Sequence, residues 1–193
     1  MAPPSQAETD ARRVLEGQLR ECYGRVVYSH KTHEKCADIL LARHSTIKVS
    51  QIVLSALTTA GFVSTFFDKT SAVGSVVGFA MSAMLLVLNS YTKDYDLGEL
   101  AQKHKQAASE IWLVRENYLS LLTDLVSNAK PLDAIRGERD ELTKALHTVY
   151  EGSPSTTHKA YRKAQDALQR HEDMTFSDTE IDAFLPAELK RGA

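Results

Sequence analysis

The chain has 193 residues, of which 23 are Lys or Arg and 25 are Asp or Glu, so its formal net charge is −2. This balance, with an isoelectric point near 6.4, excludes the broadly basic surface by which proteins bind nucleic acid. Mean hydropathy is slightly negative and 25% of the residues are charged, so the chain as a whole is polar.

The N-terminal part reads as a short tail followed by a long helix. Residues 1–9 are expected to be a disordered tail, and they lack the basic and apolar regions of a cleavable signal peptide. Residues 10–48 contain no proline and are predicted to be helical, because apolar residues recur at the helical period. This seam consists of Leu15, Leu19, Cys22, Val26, His33, Ala37 and Leu40.

Two uncharged stretches follow, at residues 49–67 and 70–92. Each is about 20 residues long, the length that a helix rising about 1.5 Å per residue needs to cross a hydrocarbon core of about 30 Å. The connection between them, residues 68–71, allows only a tight reversal. The pattern predicts a transmembrane hairpin over residues 49–92, entered from the N-terminal helix without a break.

The alternative is a buried hairpin in a soluble helical domain, because Ser, Thr and Gln dilute the first stretch. A core helix of a soluble protein normally keeps one charged, solvated face, however, and neither stretch has one. Basic residues flank the hairpin at its open end, and only Lys69 lies in its turn. The positive-inside rule then predicts a multi-pass protein of the cytoplasmic membrane with both termini in the cytoplasm.

Residues 93–190 are predicted to be cytoplasmic and helical, forming a single domain with residues 10–92. The second span is expected to continue without interruption into a helix that ends near Pro131 and packs antiparallel to the first arm as a stalk. Further helices are predicted at residues 132–150 and 157–172, then a short one opened by a capping box at Ser177 and closed by Pro186. The predicted fold class is therefore all-α. The seam of the second arm consists of Leu100, Ala101, His104, Ala108, Ile111, Val114, Tyr118, Leu121, Leu122 and Leu125.

Histidines make the densest group of candidate ligands. His30, His33, Glu34 and Cys36 lie close in sequence, and His104 lies on the opposing seam. A metal site needs three or four converging ligands with further support around them, so hydrogen-bonded histidines between the stalk helices are the favoured interpretation. No metal, cofactor or catalytic residue is predicted, because no nucleophile motif or phosphate-binding loop occurs.

The uncharged stretches carry small and polar residues that are candidates for contacts in the membrane. Gly74, Gly78 and Ser82 form a ridge of small residues that favours close helix packing in lipid. Polar groups at membrane depth need protein or water beside them, and two helices have little interior, so we expect a homo-oligomer. Spacing alone leaves open whether these residues line a pore or form hydrogen bonds between helices: Gln51, Ser55, Thr58, Thr59, Thr65, Ser75, Ser82 and Asn89.

Five segments, at residues 29–41, 47–64, 88–108, 111–125 and 172–186, together resemble the SLATT family; the first is SHKTHEKCADILL and the last EDMTFSDTEIDAFLP. SLATT stands for SMODS- and SLOG-associating two-transmembrane effector domains, and the similarity, over about residues 12–190, is to the fifth subfamily. The resemblance implies a pore-forming effector of bacterial anti-phage systems that kills the infected cell. It also implies a partner gene for a nucleotide-second-messenger synthase or another sensor, and it supplies no catalytic residues.

Two other functions remain as alternatives. A membrane-anchored scaffold or regulator would recruit a cytoplasmic partner through the charged helices after Pro131, where Arg162, Lys163 and Glu180 lie. A soluble helical interaction protein would require both uncharged stretches to be buried.

Overall fold

The computed structural model describes residues 6–67, 72–171, 174–186 and 190. These residues contain no strand, so the all-α prediction is confirmed. The helices are α1 (Gln6–Phe67), α2 (Ala72–Asp94), α3 (Leu97–Val126), α4 (Leu132–Gly152), α5 (His158–Arg170) and α6 (Asp178–Phe184).

Helix α1 has 62 residues, and at about 1.5 Å per residue it is roughly 93 Å long. It extends from the stalk through the first uncharged stretch without a break, as predicted. The helix begins at Gln6, so the expected tail is too long: residues 6–9 are helical, and residues 1–5 lie outside the described part of the chain.

The prediction that the second span continues unbroken into the stalk is wrong. Helix α2 ends at Asp94, and α3 begins at Leu97 with Asp96 as its N-cap. The Asp96 carboxylate accepts a hydrogen bond of 2.8 Å from the Glu99 backbone N–H, which also lowers the pKa of Asp96. A Cβ on Gly98 would lie 3.2 Å from Asp96 Oδ1 and 3.5 Å from His44 Cε1, so α3 begins in close contact with α1.

The stalk is the antiparallel pair of α1 and α3. Its core residues include Leu19, Val26, Ile111, Tyr118 and Leu121, all at most 2% exposed. Burying a side chain of this size contributes about 1.5–3 kcal/mol, so the seam accounts for much of the stability of the stalk. Most seam positions predicted from sequence are buried, whereas Cys22, Leu40 and Leu122 are half-buried and Leu100 is exposed.

The two following helices cover the stalk from different sides. Helix α4 packs on α3 and buries Ile135 in the core. Helix α5 packs on α1 through a row of small residues four and three apart, which lets the two backbones approach closely. That row is Ala160, Ala164 and Ala167. Helix α6 begins with the predicted capping box, in which the Ser177 and Glu180 side chains each bond to the other's backbone.

A buried histidine pair joins the two stalk helices. His33 Nδ1 and His104 Nδ1 are 3.1 Å apart, and both residues are 3% exposed. One ring must donate and the other accept, so the two rings cannot both be charged. The predicted hydrogen bond between histidines of the two stalk helices is therefore present in the structure. The described residues contain no group of three or more His, Cys, Asp or Glu that could hold a metal ion.

Burial sets the protonation state of these histidines. Burial, followed by the nearby His104 and His30, lowers the pKa of His33 to about 4. Burial also lowers the pKa of His104. His30, beside the Arg115 guanidinium at 3.5 Å, has its pKa lowered by burial first, while Glu34 opposes the shift. All three are consequently uncharged at neutral pH.

We predict that the stalk loses stability in mild acid. The pKa of His33 is near 6.5 in the unfolded chain and about 4 in the folded protein. Its contribution to the free energy of unfolding is therefore fully present above pH 6.5 and is lost as the pH falls towards 4. The loss from this residue is about 3 kcal/mol at most. Thermal unfolding in detergent at pH 7.5 and pH 5 measures it. His33→Gln, which can form hydrogen bonds but does not titrate, should lose less; an unchanged pH dependence in that variant would contradict the assignment.

Candidate functional site

Helices α1 and α2 approach most closely where glycines face each other. A Cβ on Gly61 would lie 3.9 Å from Gly78 Cα, so the two backbones are in near contact. Gly78 is buried between the helices, and Gly74 and Ser82 are half-buried beside it. The structure thus places the predicted ridge of small residues on the α1 side of α2. Its partner Gly61 was missed, although a glycine within an uncharged helical stretch is itself a signal of close packing.

A polar clamp joins the helices near the open end of the hairpin. Gln51 Nε2 donates to Asn89 Oδ1 at 2.9 Å and lies 3.3 Å from Thr92 Oγ1. The clamp lies about one turn from Lys48 on α1 and Lys93 on α2. Two predicted polar residues therefore meet. Thr92, which sequence reasoning did not select, is three residues from Asn89 and so shares its helix face.

Two threonines of the first span form hydrogen bonds from their hydroxyl groups to the backbone of their own helix. Thr58 Oγ1 donates to the Leu54 carbonyl at 2.8 Å, and Thr59 Oγ1 donates to the Ser55 carbonyl at 2.9 Å. These bonds lower the cost of placing a hydroxyl in lipid. Thr58 is half-buried towards α2, whereas Ser55 and Thr59 are exposed. The side chain of Thr65 lies outside the described residues.

The remaining predicted residues border a groove on the hairpin. Ser75, which is exposed, and Ser82, which is half-buried, line a cavity of about 410 Å³. Its walls also include Phe62 and Phe79, and its floor is formed by the glycines. The groove therefore combines small and polar residues with two aromatic rings.

The apolar side chains of the hairpin face outwards. Ile52 is 69% exposed, Phe79 76% and Leu86 67%. The most apolar 18-residue window of the first span is 0% buried within the chain, and that of the second is 6% buried. A buried hairpin of a soluble domain would show the opposite, so that alternative is rejected. Both helices are long and apolar enough to cross a membrane, and the exposure of their apolar side chains indicates a membrane protein that carries a helical stalk.

Comparison with protein families gives the same class. The family model for "SMODS and SLOG-associating 2TM effector domain family 4" matches residues 15–180, most of the chain. The chain belongs to this SLATT family. No curated protein and no solved structure matches it.

The family expectation from sequence is confirmed, and its subfamily is corrected from the fifth to the fourth. The resemblance rests on helical blocks and has no catalytic signature. Such blocks identify the shared hairpin and stalk, but they do not separate closely related subfamilies.

We predict that residue 61 tolerates a methyl group and nothing larger. Gly61→Ala should keep or slightly raise stability, because its Cβ meets Gly78 at an ordinary contact distance. Gly61→Leu should push the helices apart and cost about 1–3 kcal/mol. Thermal stability in detergent measures both. Ala60→Leu, on the exposed face of the same turn, is the matched control. Equal stability of the two leucine variants would contradict the close packing.

Proposed function

We propose that this protein is a membrane effector of a bacterial anti-phage system. On activation it oligomerises and permeabilises the cytoplasmic membrane, and the infected cell dies. The observation that carries this proposal is a hairpin of two uncharged spans whose large apolar side chains are mostly exposed, while most of its predicted polar residues follow one side. Membership of a family of two-transmembrane effector domains supports the assignment.

The polar side begins at the clamp. Ser55 and Thr59 lie one and two turns beyond Gln51 along α1, and Ser82 and Ser75 lie about two and four turns before Asn89 along α2. Because Gln51 contacts Asn89, the two rows start together and run along the same side of the hairpin. The groove between the spans also opens on this side, as Ser75 and Ser82 line it.

A single hairpin encloses no channel, so its polar side would face lipid. Polar groups at this depth are costly unless they contact protein or water. Several copies that turn their polar sides inwards would give those groups a shared aqueous path, and the apolar sides would then face the hydrocarbon. Self-association therefore follows from the same distribution of residues that suggests the path.

The basic residues support the proposed orientation. Arg43 and Lys48 on α1, and Lys93 on α2, lie at the stalk end of the hairpin, where a stacked pair of tyrosines, Tyr91 and Tyr95, is also found. Lys and Arg remain on the cytoplasmic side of a membrane, and aromatic rings gather at its interface. The stalk and both termini accordingly lie in the cytoplasm, with residues 49–92 as the membrane part.

Activation is proposed to act through the stalk. Helix α1 continues from the stalk into the membrane, whereas the second span is separated from α3 at Tyr95 and Asp96. A displacement of the stalk would move the first span with it, while the second span could stay in place. The hydrogen bond between Gln51 and Asn89 would then be strained.

The activating partner is proposed to be a nucleotide-second-messenger synthase or another sensor encoded nearby. The family name links these domains to SMODS and SLOG proteins, which supports such a partner. No enzymatic activity and no cofactor is proposed for this chain itself.

A membrane-anchored scaffold is the second candidate. The observation that favours it is the apolar exposure near the C-terminus, where Phe176 is 67% and Phe184 81% exposed. A scaffold would fail when these residues are changed and would tolerate leucine along the polar side of the hairpin.

We predict that leucine on the polar side reduces leakage. Ser55→Leu and Ser75→Leu remove hydroxyls from the proposed path, and together they should lower propidium entry several-fold after induced expression without changing the amount of protein in the membrane. Ser90→Leu, an exposed serine outside the rows, is the matched control. Membrane potential is followed in parallel. A toxic wild-type protein that leaves the potential intact would reject permeabilisation.

A further inference from the structure

Helix α3 exposes a row of large apolar residues in the stalk. Trp112 is 47% exposed, Leu119 45% and Val126 64%. They are seven residues apart, so they fall on one side of the helix over about 21 Å. The row lies in the polar part of the molecule, where an uncovered apolar strip marks a surface for another protein.

The other helices of the stalk leave this row uncovered. Helix α4 lies against a different side of α3, where Tyr118 Oη is 3.5 Å from Thr143 Oγ1. Helix α5 lies against α1, where Gln169 donates to Tyr28 at 2.8 Å. On the side of the row, the connection before α6 contacts α3 through a hydrogen bond of 3.0 Å from Arg115 to Met174. The row residues stay exposed with this contact in place.

A groove lies next to the far end of the row. It has a volume of about 580 Å³ between α1 and α3, and its lining includes Tyr23, Leu122 and Val126. Glu16 and Arg20 stand at its rim and form an ion pair at 3.4 Å. An apolar floor next to paired charges of opposite sign resembles the core and rim of a protein interface.

We propose that this surface, Trp112, Leu119 and Val126 with the adjoining groove, is the contact between neighbouring copies of this chain in the stalk. The inference rests on the proposed membrane function, because it requires copies held in one bilayer. Insertion holds identical chains at one height and in one orientation. A seven-residue repeat is the spacing with which parallel helices pack against each other at equal height.

The charges of the surface suit a second copy better than a strongly charged partner. Glu16 and Arg20 are one turn apart on α1 and opposite in sign. The pair has no net charge, and Glu16 of one copy can contact Arg20 of its neighbour, one turn away along the helix. Confinement to the membrane raises the effective concentration, so an interface of modest area suffices.

Photo-crosslinking tests the contact directly. Benzoylphenylalanine is placed at Leu119, or at Leu113 as the control, which is 57% exposed and lies about a third of a turn around α3. Irradiation of membranes containing the full-length protein should give an adduct of twice the monomer mass from position 119 and little from position 113. Equal adducts from both positions, or an adduct at 119 with only another protein, would overturn the proposal.

A charge substitution separates this inference from the proposed function. Leu119→Glu should prevent co-purification of two differently tagged copies in detergent, and Leu113→Glu should not. Association that survives Leu119→Glu would overturn the interface even if propidium still enters. Loss of association only in Leu119→Glu would support the interface even if the wild-type protein proves not to permeabilise membranes.

Discussion

The exposure of apolar side chains along the hairpin is the constraint on which the rest of the structure depends. Residues such as Ile52, Phe79 and Leu86 have no partner helix to cover them and no charged residue beside them within their spans. Such a surface is stable in lipid and not in water. Once lipid is the solvent, hydrophobic burial no longer drives the helices together, and packing of small residues and hydrogen bonds must do so. The Gly61–Gly78 contact and the Gln51–Asn89 hydrogen bond supply both.

The stalk, in contrast, is stabilised by apolar side chains that its helices bury away from water. These side chains include leucine, isoleucine and tyrosine, and the hydrogen-bonded histidine pair is among the polar groups buried with them. Because α1 is continuous, one helix belongs to both environments. The second span is separated from α3 at Asp96, whose side chain accepts the Glu99 N–H that a continuous helix would bond to a backbone carbonyl. Helix α1 joins the stalk rigidly to the first span, whereas a break separates α3 from the second span. A change in the stalk could therefore move the two spans by different amounts.

The sequence predicts the helical fold well, for identifiable reasons. Absence of charge marks the two spans, Pro131 separates α3 from α4, and Ser177 with Glu180 opens α6. The break at Asp96 was not predicted, because apolar residues continue at the helical period across it. The signal that could have found it is Asp96 with Glu99 three residues later, the pattern of an N-cap.

The candidate site is less accessible to sequence reasoning. Helical spacing brings Gln51 and the threonines onto roughly one face, but it does not show which hydroxyls bond to their own helix. Thr58 and Thr59 do so, and this makes them compatible with lipid without any pore. The partners across the hairpin, Gly61 and Thr92, depend on the register between two helices, which only the folded arrangement supplies.

Fractionation of cells that express the full-length protein tests the central claim most directly. We expect the protein to sediment with membranes, to stay there after extraction with alkaline carbonate, and to be released by detergent. Recovery as a well-behaved monomer in a detergent-free supernatant would contradict it, because the side chains exposed along the hairpin would then have to be stable in water.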